Sequence, residues 1–198
     1  MSNIFSNAYE KLDDAIMKGV NASVRAYNWT TGKTKADLAN KLLTIAPIAE
    51  STGFIGMSYN KPLLFPISIA TSGLFIFLSH ITRKRNEETD MLEQRALEDG
   101  CLDSEVELEK ECNAKLGPFW VLMAGLQGTS AITGPNYLEF TNYLIAGGNL
   151  IRSASFYVMR ADYFPPRKSA IKKGMEKLSE IIEQYKAPDF QPAPVPAG

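Results

Sequence analysis

From Pro62 to Ile81 the chain reads PLLFPISIATSGLFIFLSHI, 20 positions without an Asp, Glu, Lys or Arg. At ~1.5 Å per residue such a run makes a helix of roughly 30 Å, the thickness of a bilayer hydrocarbon core. Lys61 before it and Arg83, Lys84 and Arg85 after it stand where interfacial anchors stand. The competing reading is a fully buried helix at the centre of a soluble all-α protein. A second uncharged window, Leu116 to Leu138, carries Gln127, Thr129, Ser130 and Thr133, and Gly134-Pro135-Asn136 reads as a turn that ends its helix. We expect a span over 117–134. Tyr137 to Met159 includes Leu144, Ile145, Leu150, Ile151 and Phe156 but also Glu139, Asn142, Asn149 and Arg152. Its place directly after a tight turn makes it the return arm of a helical hairpin. Upstream, Leu42 to Tyr59 is interrupted by Pro47 and Glu50. It reads as the partner arm of 62–81, with a broken, re-entrant or amphipathic segment as the alternative.

Two further stretches are periodic without being apolar throughout. Phe5, Tyr9, Leu12, Ile16, Val20 and Val24 recur at three- and four-residue spacing, which predicts an amphipathic helix over 4–27. Ile171, Met175, Leu178, Ile181, Ile182 and Tyr185 repeat the pattern over 169–185, opened by Ser169 as an N-cap. Each stripe can lie on a membrane surface or pack on a neighbouring helix. From Ala187 the tail APDFQPAPVPAG is Pro-rich and expected to be extended or disordered.

Charge supplies an orientation. Lys and Arg near span ends collect on the cytoplasmic side. With four spans, Lys33, Lys35, Lys41, Arg83, Lys84, Arg85, Arg160, Arg167, Lys168, Lys172 and Lys173 all fall on one face. Both termini are then cytoplasmic. The acidic stretch from Arg83 to Lys115 lies on the same face, split by Gly100 into two helices, the second starting near Asp103 or Ser104. It reads as an exposed helical hairpin, either solvated or docked to a partner. The resulting division is 1–34 (amphipathic helix and linker), 35–82 (first membrane hairpin), 83–116 (acidic hairpin), 117–160 (second membrane hairpin) and 161–198 (amphipathic helix and tail). Average composition hides all of this, because a hydrophobic fraction of 45% is ordinary for a soluble protein. A net charge of -1 gives no basic footprint for nucleic acid. Neither a cleavable signal nor an N-myristoylation pattern is evident at the N-terminus.

Glu50 and Arg152 are the candidate functional pair. A charge at mid-bilayer costs roughly 2.5 to 3.5 kcal/mol on insertion scales, so it wants a partner or a purpose. Counted from Lys41 and Arg160, both lie at about the same depth. That depth points to an ion pair between the first and fourth spans, with an ion path, snorkelling or pairing to another subunit as alternatives. Ser68 with Ser72, Ala124 with Gly128, and the Gly147-Gly148 pair are small residues of the kind that lets helix backbones approach closely. Cys101 and Cys112 lack a Cys or His partner at metal-ligand spacing and read as free thiols. Gly32-Lys33-Thr34 ends like a phosphate-binding loop, but Tyr27 stands where its first glycine belongs. Asn28-Trp29-Thr30 and Asn21-Ala22-Ser23 match the glycosylation pattern but face the cytoplasm, so they read as chance matches. His80 is the single histidine and reads as a helix-end residue.

The expected fold is therefore all-α, a polytopic helical membrane protein of two transmembrane hairpins with cytoplasmic amphipathic helices. No catalytic residues, metal site or cofactor emerge. The expected role is a non-enzymatic subunit of the cytoplasmic (inner) membrane that packs into, assembles or anchors a larger complex. Its partners would be other membrane subunits and the bilayer, with a homo-oligomer also open. The alternative is a small oligomeric channel, transporter or membrane-permeabilising protein lined by its polar residues.

Overall fold

The computed structural model describes residues 2–100 and 104–185. Cys101, Asp103 and the Pro-rich tail from Ala187 lie outside the described residues, as do the side chains of Phe5, Tyr9 and Tyr185. The described chain is all-helical: α1 Ser2–Thr31, α2 Lys35–Asn60, a 3₁₀ turn Pro62–Leu64, α3 Phe65–Asp99, α4 Ser104–Thr133, α5 Asn136–Arg160 and α6 Ala170–Tyr185. Each break has a local cause. Gly32 and Gly100 take positive φ values of 76° and 69°, the left-handed conformation that ends α1 and α3 and that glycine adopts without steric cost. Pro66 sits in the first turn of α3, where no intrahelical donor is missed. The Gly134-Pro135 pair turns the chain between α4 and α5. Ser169 caps α6, its hydroxyl accepting from the Lys172 backbone N–H at 3.0 Å.

Two boundaries bear on the expected layout. α2 runs unbroken through Pro47 and Glu50, so 42–59 lies within one helix and the broken-helix alternative does not occur. The charged stretch is divided at Gly100 as expected, with α3 continuing into it from the apolar run and α4 starting at Ser104 and continuing beyond it.

The main packing contacts are α2 with α5, α4 with α5, and α2 with α3, which sets the helices in the order α3, α2, α5, α4. Phe75 of α3 closes that order into a bundle by meeting Trp120 of α4 edge-on, with ring centroids 5.9 Å apart. At the charged end Lys110 reaches Glu93, and Arg85 pairs with Glu109. Beside the bundle, α1 packs Val24 against Ala36, Ala39, Val158, Met159 and Ala161. The Asn28 side-chain amide donates to the backbone carbonyls of Lys33, Phe164 and Pro165, and the Arg167 N–H donates to the Gly32 carbonyl at 2.9 Å. Gly32 and Asn28 are thus parts of a turn clamped by residues 161–169, which accounts for both of the failed motifs around them.

Along α3 the usual distribution of polarity is inverted, and α5 adds polar groups to the apolar residues it buries. The buried face of α3 is Ser68, Ser72, Ser79, Asn86, Thr89 and Glu93, and that of α5 includes Thr141, Asn142, Asn149, Arg152, Ser153 and Ser155. Ile48, Ile55, Ile67, Ile76, Phe77, Val121, Leu122, Leu126, Phe140 and Leu150 stand exposed on the outside. Among the described residues one helical stretch, Pro62–Asp99, is long and apolar enough to cross a membrane, and 17% of its apolar window is buried.

Candidate functional site

All four bundle helices converge on Arg152, which is 1% exposed, and on Glu50, which is 0% exposed. Arg152 Nε donates to Glu50 Oε1 at 2.9 Å and Nη2 to Glu50 Oε2 at 2.5 Å, the two-pronged geometry that a planar guanidinium and a carboxylate favour. Nη1 donates to Ser79 Oγ at 2.9 Å. Phe75 and Trp120 lie against the guanidinium, with ring centroids 5.2 and 5.0 Å from its central carbon. Both oxygens of Glu50 are engaged, so the pair is held as a unit by α2, α3, α4 and α5.

Of the small residues singled out in the sequence, Gly148 has the closest approach. A Cβ there would lie 2.5 Å from Glu50 Cγ and 2.9 Å from the Ala46 carbonyl oxygen, so α5 can reach α2 at this level because the side chain is absent. Gly147 and Gly128 have open space where a Cβ would go. Ser68, Ser72 and Ala124 are buried, the two serines on the inward face of α3. Three further glycines make close approaches, of which Gly56 and Gly117 stood out in no sequence pattern. Gly53 abuts Ile145 and Thr141, Gly56 abuts Thr141, and Gly117 lies under the Tyr157 ring and accepts from Ser153 Oγ at 2.7 Å. The recurrence of Gly117, Ala124 and Ala131 every seven residues was the available signal for the α4 seam.

No family model, curated protein or solved structure matches this chain. A second site of buried charge lies in the same bundle.

At the charged end, Lys35 is 0% and Glu93 4% exposed. Lys35 Nζ donates to Glu93 Oε1 at 2.8 Å and to the Ala161 carbonyl at 2.7 Å, and Lys110 Nζ approaches the same Glu93 oxygen at 3.1 Å. Thr34 Oγ1 donates to Asp90 Oδ2 at 3.0 Å. Glu93 Oε2, Asp90 Oδ1 and the Tyr163 hydroxyl are buried without a hydrogen-bond partner among the described residues. Burial pushes the Lys35 ammonium below its ordinary value although Glu93 pulls the other way. Burial likewise raises Asp90, against the Thr34 hydrogen bond. The Tyr163 phenol is pushed up to about 12, first by burial and then by the charges of Asp90, Glu93 and Glu98. Neither Lys35 nor Glu93 stands out in the sequence as part of a site, because a Lys beside a span and a Glu in an acidic run both look solvated. Seven-residue spacing along Ser72, Ser79, Asn86 and Glu93 was the one sign that Glu93 continues the inward seam.

Among the described residues, no group of three or more His, Cys, Asp or Glu side chains is arranged to hold a metal. Cys112 is a half-buried free thiol, and His80 stands exposed at the end of the apolar half of α3.

Proposed function

We propose that this chain is a polytopic helical membrane protein with its charged end cytoplasmic, acting as a non-enzymatic subunit that packs into or anchors a larger membrane complex. The observation that carries the reading is the inverted bundle: seams of Ser, Thr, Asn and a buried ion pair face inward while Ile, Leu, Phe and Val face outward. In water such an arrangement exposes a broad apolar girdle, whereas in lipid the same surface is solvated. The complex is supported by apolar side chains that lie beyond the girdle. Met91, Leu97 and Leu108 are exposed in the charged halves of α3 and α4, where acyl chains do not reach and another protein surface would cover them.

The test is alkaline carbonate extraction of membranes, followed by co-purification in mild detergent. Retention in the pellet with co-purifying subunits is expected. Release as a soluble protein removes the membrane reading, and a chain that runs alone at any expression level removes the subunit role.

A second reading, a small oligomeric channel, draws on Ser72 Oγ, Asn142 Oδ1 and Asn149 Oδ1, which are buried without partners among the described residues. The direct Glu50–Arg152 contacts favour packing over conduction. Ion flux in liposomes that falls on Glu50→Gln would favour the channel instead.

A further inference from the structure

Between α2 and α3 runs a cleft of about 520 Å³, a size that suits a small ligand or part of a lipid. Pro47, Ile48, Ile55 and Ile76 form its apolar wall, and His80 and Arg83 form its polar end. Ile48 is 64% exposed, so the cleft opens sideways onto the apolar girdle. From the level of Leu43 to that of Ile55 it follows α2 for roughly 18 Å at ~1.5 Å per residue. Half of a ~30 Å hydrocarbon core is about that length, the reach of one acyl chain. The polar end lies where the apolar run of α3 gives way to Arg83, Lys84 and Arg85.

Two polar atoms in this cleft are buried without a hydrogen-bond partner among the described residues, Arg83 Nε and Ser51 Oγ. An unpartnered guanidinium N–H asks for an acceptor, and the nearby carboxylates are engaged elsewhere. Glu87, one turn beyond Arg83, accepts from Asn40 Nδ2 at 3.2 Å, and Glu50 is held by Arg152. Among the described residues neither carboxylate pairs with Arg83, so its Nε is left open to an acceptor from outside the chain.

We propose that the cleft binds one anionic phospholipid, with its phosphate on Arg83 and His80 and an acyl chain along Ile48, Thr52, Ile55 and Ile76. This inference rests on the membrane reading above. It differs from general attraction of lipid to a basic surface, because it assigns the selectivity to Arg83 and not to Lys84, which is exposed and does not line the cleft.

The test is native mass spectrometry of the full chain released from detergent micelles, titrated separately with dioleoyl phosphatidylglycerol, dioleoyl phosphatidylcholine and inorganic phosphate. One phosphatidylglycerol per chain should persist, in preference to phosphatidylcholine. Arg83→Gln should weaken that adduct about fivefold, as loss of one interfacial cation does, while Lys84→Gln leaves it unchanged. Ile48→Trp, at an exposed position that tolerates bulk, should also displace it. Equal retention of the two lipids, equal effects of Arg83→Gln and Lys84→Gln, a phosphate adduct that excludes the lipid, or a lipid-free dimer would each overturn the site. Carbonate extraction of each variant separates the two ideas: a chain that stays in the membrane yet shows no lipid preference sinks this site alone, whereas a released chain sinks the membrane reading with it.

Discussion

At Glu50 and Arg152 every carboxylate oxygen is matched by a guanidinium N–H and the cation is flanked by two rings, whereas at Lys35 and Glu93 two ammonium groups share one oxygen and the other is left bare. Both sites bury charge, but they use their hydrogen-bonding capacity differently. The first lies at the centre of four helices with both carboxylate oxygens engaged, the arrangement expected of a structural clamp. The second lies at the charged end of the bundle, where Asp90 and Tyr163 add further unmatched atoms. Excess acceptors beside a buried ammonium make a site that responds to protons.

The largest effect expected from breaking this contrast is at the clamp. Arg152→Met leaves Glu50 buried without its partner and should cost ~3–5 kcal/mol in reversible unfolding from mixed micelles. Combining it with Glu50→Leu should recover most of that loss. A double variant no better than Arg152→Met would show that the pair does not act as a unit.

Lys35→Met should cost less, ~1–3 kcal/mol, because Glu93 keeps Lys110 and the Ala161 carbonyl loses only one donor. The same unfolding measurement checks it, and a loss equal to that of Arg152→Met would erase the distinction between a saturated site and a partly matched one.

Gly148→Ala pushes a methyl group against Glu50 and the Ala46 carbonyl, so it should destabilise by ~1–3 kcal/mol. Gly147→Ala next to it meets open space and should stabilise the helix by ~0.5–1 kcal/mol. Thermal unfolding of the two variants, one residue apart, should therefore move in opposite directions.

The smallest effect is in pH dependence. Asp90 is raised by burial, so its contribution to stability is complete below the ordinary carboxylate value and is lost as pH rises through its higher folded value. Lys35 is lowered by burial, so its contribution is present above the ordinary lysine value and is lost as pH falls through its lower folded value. Asp90→Asn should flatten the acid limb of a stability-versus-pH profile by less than about 1 kcal/mol, whereas the double variant Glu50→Leu with Arg152→Met, which removes both charges of the other site, should leave its shape alone. A profile unchanged by Asp90→Asn would place the proton response elsewhere.

The clamp was legible because depth along a helix can be counted from the charged interfaces, and Glu50 and Arg152 come out level. Its aromatic walls, Phe75 and Trp120, were not legible, since they approach from two helices at positions 45 apart in the chain and nothing local joins them. The Lys35 and Glu93 site was hidden by the opposite circumstance, an abundance of neighbouring charge that made burial of any one residue invisible. The two amphipathic stripes also parted in a way that no periodicity foretold. α1 buries Val24 against the bundle, while α6 leaves Ile171, Met175 and Leu178 exposed.

By itself the sequence determined where helices start and stop, because capping by Ser169, the left-handed glycine at Gly100 and the turn at Gly134-Pro135 act through groups a few residues apart. It also determined that one stretch is long and apolar enough to span a bilayer, since length and composition suffice for that. Only the tertiary structure decided which of two adjacent glycines touches a neighbour, which charges are matched, and that the inward seams are polar. Those outcomes depend on the rotation of each helix about its axis, and that angle is set by the packing of all four bundle helices together.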